Sequence, residues 1–134
     1  MAEPPETPPL RAQYHIRRGK IGTKIWDVRK LVRLADALPV AEVPLAEIQE
    51  LDETYWYDTG DLPTVRTIAE HARLIAEADL AWPIILCARG RVMDGMHRVA
   101  RAAMAGHKTI RAQHFPVTPQ PGHRNRDPDD LPYD

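Results

Sequence analysis

Apolar positions recur along this chain with two periods. Between residues 26 and 38 (WDVRKLVRLADAL), Val28, Leu31, Ala35 and Leu38 fall at spacings of three, four and three. That spacing predicts one buried face of a helix, which Pro39 stops. Residues 64–79 (TVRTIAEHARLIAEAD) predict the clearest helix: Thr64 with Thr67 offers a start, and Val65, Ile68, Ala72, Ile75 and Ala76 make one apolar stripe. Between them, EVPLAEI (42–48) predicts a short strand or a strand entering a turn, and ELDETYWYDTGDLP (50–63) reads as a loop. WPIILC (82–87) is a continuous apolar run, typical of a strand covered on both faces. Arg89-Gly90 predicts a tight hairpin turn into a second short strand, RVMD (91–94). Ala-rich residues 96–105 predict a helix with Val99, Ala102, Ala103 and Met104 on its buried face and Gly106 as its C-terminal cap. TIRAQHF (109–115) alternates and predicts a last strand.

Length and composition bound this picture. A chain of 134 residues has room for one domain. Of its 13 prolines, four lie in residues 1–20 and five in residues 116–134. Residues 1–22 and 116–134 therefore read as flexible or draped Pro-rich segments around a single domain over 23–115. The expected fold is α/β (α+β): a small mixed sheet flanked by helices, with an extra N-terminal helix. Lys and Arg number 18 against 19 Asp and Glu, so a chain-wide electrostatic grip on nucleic acid is not expected. Arg98, Arg101, Lys108 and Arg111 offer a local basic patch suited to a polyphosphate. A single cysteine, Cys87, excludes an intramolecular disulfide and a multi-Cys zinc site, and reads as a buried structural thiol. Six histidines show no metal-ligand spacing, so no metal-ligating residues are assigned, and His71 in mid-helix reads as a surface or packed residue. No apolar run is long enough to span a membrane and no secretion signal is evident, which makes the cytoplasm the expected compartment.

The chemistry concentrates in RVMDGMHRVARAAMAG. A strand ends at Asp94, Gly95 permits a sharp turn, and Met96, His97 and Arg98 open a helix. The unpaired N–H groups and positive dipole end of a helix start suit an anion. Arg98 adds a planar fork for phosphate oxygens, and His97 adds a donor that can charge near neutral pH. Asp94 can cap the helix, orient Arg98 or hold a metal. Tyr55, Trp56 and Tyr57 either line a pocket or cap the core, with capping slightly favoured.

The stretch PIILCARGRVMDGMHRVARAAMAGHKTIRAQHF, together with VPLAEI (43–48) and the helix at 64–79, resembles the ParB/sulfiredoxin-like superfamily over roughly residues 40–115. The signature is DGMHR (94–98), then a small-residue helix, a glycine and a strand. The resemblance implies nucleoside phosphate binding, with ATP or another nucleotide and Mg²⁺ as cofactors. Phosphates would be held by Asp94, Gly95, Met96, His97, Arg98 and Arg101. Sulfiredoxins carry a cysteine directly before the His-Arg pair, where this chain has Met96. Partition proteins show a Glu-Arg-Arg type box there. The Asp-Gly-x-His-Arg form is more similar to the free serine kinase branch, in which a loop glutamate is the general base.

Glu53 is the first choice for that role by position and Glu50 the second, each as base or Mg²⁺ ligand, with His97 a further catalytic candidate. A solvated acidic loop is the plain alternative. The expected activity is phosphotransfer to a small hydroxyl-bearing substrate, or nucleotide hydrolysis. The alternative is a non-catalytic nucleotide- or anion-binding switch, or an accessory module of a DNA-associated, partition-like system. Direct binding of nucleic acid and of membrane is not expected.

Overall fold

The computed structural model describes residues 13–19, 22–57, 60–126 and 131. These residues form a mixed α/β structure, with two small sheets and three α-helices among them. Strand β1 (Tyr14–Gly19) pairs antiparallel with β2 (Gly22–Asp27), and helix α1 (Val28–Ala35) follows directly. Strand β3 (Val40–Pro44) leads into two short 3₁₀ segments, Leu45–Glu47 and Gln49–Asp52, and then to helix α2 (Val65–Glu77). Strands β4 (Ile84–Leu86) and β5 (Val92–Asp94) form a hairpin, helix α3 (Met96–Met104) follows, and β6 (Thr109–His114) and β7 (His123–Arg124) complete the order. The larger sheet runs β3-β6-β4-β5, with β4 and β6 parallel and the other neighbours antiparallel. The smaller runs β1-β2-β7.

The continuous apolar run of β4 has a simple cause. Alternate side chains of a strand point to opposite faces, and both faces are covered. Ile84 and Leu86 pack with Val92, Val99, Ala102 and Leu45 on the α3 side. Ile85 and Cys87 pack with Trp26, Leu31, Ala35, Met93 and Phe115 on the α1 side. Each helix is closed by local chemistry. The Asp27 carboxylate accepts the Arg29 N–H at the start of α1. Thr64 and Thr67 cap α2 reciprocally. Gly106, at φ +77°, ends α3 with its N–H on the Ala103 carbonyl while the His107 N–H reaches the Ala102 carbonyl.

Several expectations are corrected. Residues 14–19, inside the segment read as flexible or draped, form a strand with six partners on β2. Its local signal is weak, and the pairing is supported by cross-strand contacts such as His15 on Trp26. Trp26 and Asp27 belong to β2, so α1 starts two residues later than the spacing suggested. The C-terminal proline-rich segment is anchored: β7 pairs with β2, the Trp26 indole N–H donates to the Pro119 carbonyl (2.8 Å), and Leu131 is buried.

Two helix faces also differ. In α2 the expected stripe is largely exposed, with Val65 at 86% and Ile68 at 55%. The helix instead turns Thr67, His71, Leu74, Ile75 and Ala78 inward, roughly a quarter turn away. In α3 the buried face is Met96, Val99 and Ala102, while Ala103 and Met104 face solvent. No helix among the described residues is long and apolar enough to cross a membrane.

Candidate functional site

The β5–α3 turn is shaped by close packing. Gly95 sits at φ +104°, a conformation that side chains disfavour. A Cβ there would lie 2.7 Å from Ile84 Cγ2 and 3.1 Å from the Arg98 guanidinium. The first intrahelical bond runs from the Val99 N–H to the Gly95 carbonyl (3.0 Å). The amides of Met96, His97 and Arg98 precede it, and Gly95 brings no side-chain cap to them.

Arg98 folds back over this turn. Its guanidinium donates to the Asp94 carboxylate (2.9 Å) and to the carbonyls of Trp82 (3.0 Å) and Pro83 (2.7 Å). Asp94 therefore orients Arg98, one of the three roles open to it in sequence. Both side chains are mostly buried; the ion pair joins α3 to the end of β5, and the two carbonyl bonds tie α3 to the entry of β4. Two of the five guanidinium N–H groups exceed these three bonds.

His97 joins a cluster that the sequence did not reveal. Its Nε2 lies 2.9 Å from Nδ1 of His71 on α2. Trp56 stacks over both imidazoles, with centroids 4.4 Å from His71 and 4.7 Å from His97, and with ring planes within 19°. Tyr57 meets His71 edge-on, and its hydroxyl bonds the Thr67 hydroxyl (3.2 Å). Burial, and secondarily the neighbouring His71, holds His97 below the usual imidazole range. No local spacing marks His71 as part of this cluster, because its partners Trp56 and His97 lie 15 and 26 residues away.

A cavity of about 1450 Å³ opens beside this turn. Asp94, Gly95, Met96, His97 and Arg98 all line it, as do Tyr55 and Trp56. Two of the three loop aromatics therefore line a pocket, and Trp56 also packs against the core, so each expectation holds in part. The Tyr55 phenol is pushed up to about 12, first by burial and then by the carboxylates of Glu50 and Asp94, so it stays neutral. The five residues of the DGMHR signature are thus brought to one wall.

Three other candidates are placed elsewhere. Glu53 is clamped by Arg91 through two bonds, at 2.6 and 2.9 Å, and those bonds hold its carboxyl below the usual range. Glu50 is only 2% exposed. One of its oxygens accepts the Val92 N–H (2.6 Å) and lies 3.4 Å from Arg91 Nε, while the other has no hydrogen-bond partner among the described residues. Arg91 also donates to Gln49 (2.9 Å), so Arg91 braces the second 3₁₀ segment against β5. Arg101 donates to the Ile75 and Ala76 carbonyls and closes the C-terminal end of α2. Neither Glu50, Glu53 nor Arg101 lines the cavity.

These placements bear on Mg²⁺. Among the described residues no three His, Cys, Asp or Glu side chains converge. Asp94, the carboxylate nearest the α3 start, is committed to Arg98. Among the described residues no cage of three protein ligands is built for Mg²⁺, an ion usually held by one or two carboxylates together with substrate phosphates.

Cys87 lies buried on the opposite face of the sheet from α3. Burial opposes its ionisation, but the Arg17 guanidinium (3.5 Å) and backbone amides outweigh it and hold the thiol below its usual range. Searches of protein-family models, curated proteins and solved structures find no match to this chain.

Proposed function

We propose that this chain is a nucleoside-phosphate-binding domain of the ParB/sulfiredoxin-like kind, with the phosphates seated against the first turn of α3. The observation that carries this reading is the gathering of Gly95, Met96, His97 and Arg98 on the wall of one large cavity, beside Tyr55 and Trp56. Backbone amides at a helix start, an imidazole and a guanidinium match the charge and donor pattern of phosphate oxygens. The aromatic rings supply apolar area for a base or sugar. Arg98 works chiefly by shaping the turn, because most of its N–H groups hold protein acceptors.

Two uses of the nucleotide follow from the resemblance, and the acidic residues favour one. Transfer to a hydroxyl needs a base within hydrogen-bond reach of the acceptor. Glu53 and Glu50 are held by Arg91 away from the cavity wall, which favours the reading as a binding module or switch over a kinase. A transfer or hydrolysis reaction would fall to His97 as proton acceptor.

The test is calorimetric titration with ATP, CTP and GTP, followed by phosphorus NMR of the same mixtures with Mg²⁺ and free amino acids. Saturable binding that His97→Ala weakens, with the nucleotide left intact, is the expected result. A new phosphomonoester signal that Glu53→Gln abolishes would restore the kinase reading. Absence of binding by all three nucleotides would remove the site.

A further inference from the structure

We propose that His71 and His97 form one proton-sharing unit on the wall of the cavity, so that an anion entering at the α3 start is bound together with one proton taken from solvent. This rests on the reading of the α3 start as a phosphate site, and it assigns His71 as a positioning residue that acts through His97.

The geometry restricts the pair to a few protonation states. At 2.9 Å, one nitrogen of the contact carries a hydrogen and the other presents a lone pair. With both rings neutral, a single proton sits between them. One added proton goes to the outer nitrogen of the donating ring, leaving an imidazolium that still donates to its imidazole neighbour. That bond is then charge-assisted and stronger. A second added proton would set N–H against N–H and break the contact. The unit therefore holds a charge of zero or plus one.

Trp56 favours this arrangement twice. It covers both rings at once, whose planes lie 23° apart, and its π face stabilises a cation resting on it. His97 lines the cavity and His71 does not, so an anion meets the first ring and the second serves as its proton reservoir.

The surrounding groups leave room for an incoming counter-charge. The turn and helix of His97 contribute Asp94 and Arg98, which neutralise each other, and Arg101, which faces the α2 carbonyls. The loop contributes Tyr55, a neutral phenol, and Tyr57, whose hydroxyl is on Thr67. Farther along the cavity α2 contributes Glu77, and Asp79 follows it. Burial first, and then His71, disfavour a proton on His97, and an anion at the α3 start acts in the opposite sense. Binding then draws in a proton, and affinity rises as pH falls.

The experiment titrates the full chain with inorganic pyrophosphate and with ATP near neutral pH, in phosphate-free buffers of different ionisation enthalpy. Expected is an apparent binding enthalpy that varies linearly with the buffer enthalpy, with a slope of about one proton taken up per anion once the change in the anion's own protonation, followed by phosphorus NMR, is subtracted. Nitrogen-15 NMR of the imidazoles in the saturated complex should show that one proton spread over His71 and His97. His71→Asn leaves His97 a hydrogen-bond partner that cannot share the charge, and should weaken binding at pH 7 about tenfold, equal to one pKa unit. Saturable binding with buffer-independent heat, or full rescue by Asn, overturns the proton-sharing role and leaves the phosphate site standing. No binding of either anion overturns both.

Discussion

Gly95 links the backbone of the site to its charge. Its left-handed conformation and missing side chain let the Arg98 guanidinium lie against the turn, where it collects the Asp94 carboxylate and two carbonyls. Gly95→Ala adds backbone strain and a 2.7 Å contact with Ile84, so a loss of about 2–4 kcal/mol in urea unfolding is expected. Glu50 is the second residue under constraint. Arg91→Ala removes the cation beside a buried carboxylate and should cost about 2 kcal/mol. That is less than for a wholly buried pair, because Arg91 is itself a third exposed. If the carboxylates are structural, nucleotide affinity of the folded Arg91→Ala protein stays at the parent value.

His15 sets a pH dependence of its own. Burial, and then the Arg17 guanidinium, lower it to about 4 from a usual value of 6.5. The unfolded chain thus binds the proton more readily than the folded one. The associated stability is complete above about pH 6.5 and is lost as the pH falls towards 4, by roughly 3 kcal/mol in all. His15→Gln should flatten thermal stability over that window, and an unchanged profile would reassign the dependence.

Among the elements, α2 best shows what the sequence pattern could and could not carry. Its existence, its start at Thr64 and nearly its full length follow from spacing and capping residues. Its orientation does not, because a helix with Ala on several faces has no single apolar stripe strong enough to dictate its rotation. Polar contacts decide it: His71 on His97, the Thr67 hydroxyl on Tyr57, and Arg101 on the last carbonyls. Val65→Ser and Ile68→Ser should therefore stay within about 0.5 kcal/mol of the parent in thermal melts. Leu31→Ala, in the α1 core, should cost about 2–5 kcal/mol. A large loss at Val65 or Ile68 would mean that the stripe is covered in solution.

At the scale of the whole molecule, the larger sheet was legible and the smaller was not. The apolar run of β4, the Gly90 turn and the glycine-capped α3 carry strong local signals that agree with one another. Strand β1 is polar and β7 is only two residues long, and they exist through pairing with β2, across about a hundred residues in the case of β7. The same division holds at the site. The DGMHR turn could be read locally, whereas His71 and Trp56 reach it from other elements and only the folded chain brings them there.

The central claim is that this turn binds the phosphates of a nucleotide. The most direct test follows the backbone amide resonances of the assigned protein through a titration with ATP and with CTP. Saturable shifts are expected, largest at Gly95, Met96, His97 and Arg98, with the Trp56 indole following. Shifts centred on another surface, or none at saturating nucleotide, would contradict it.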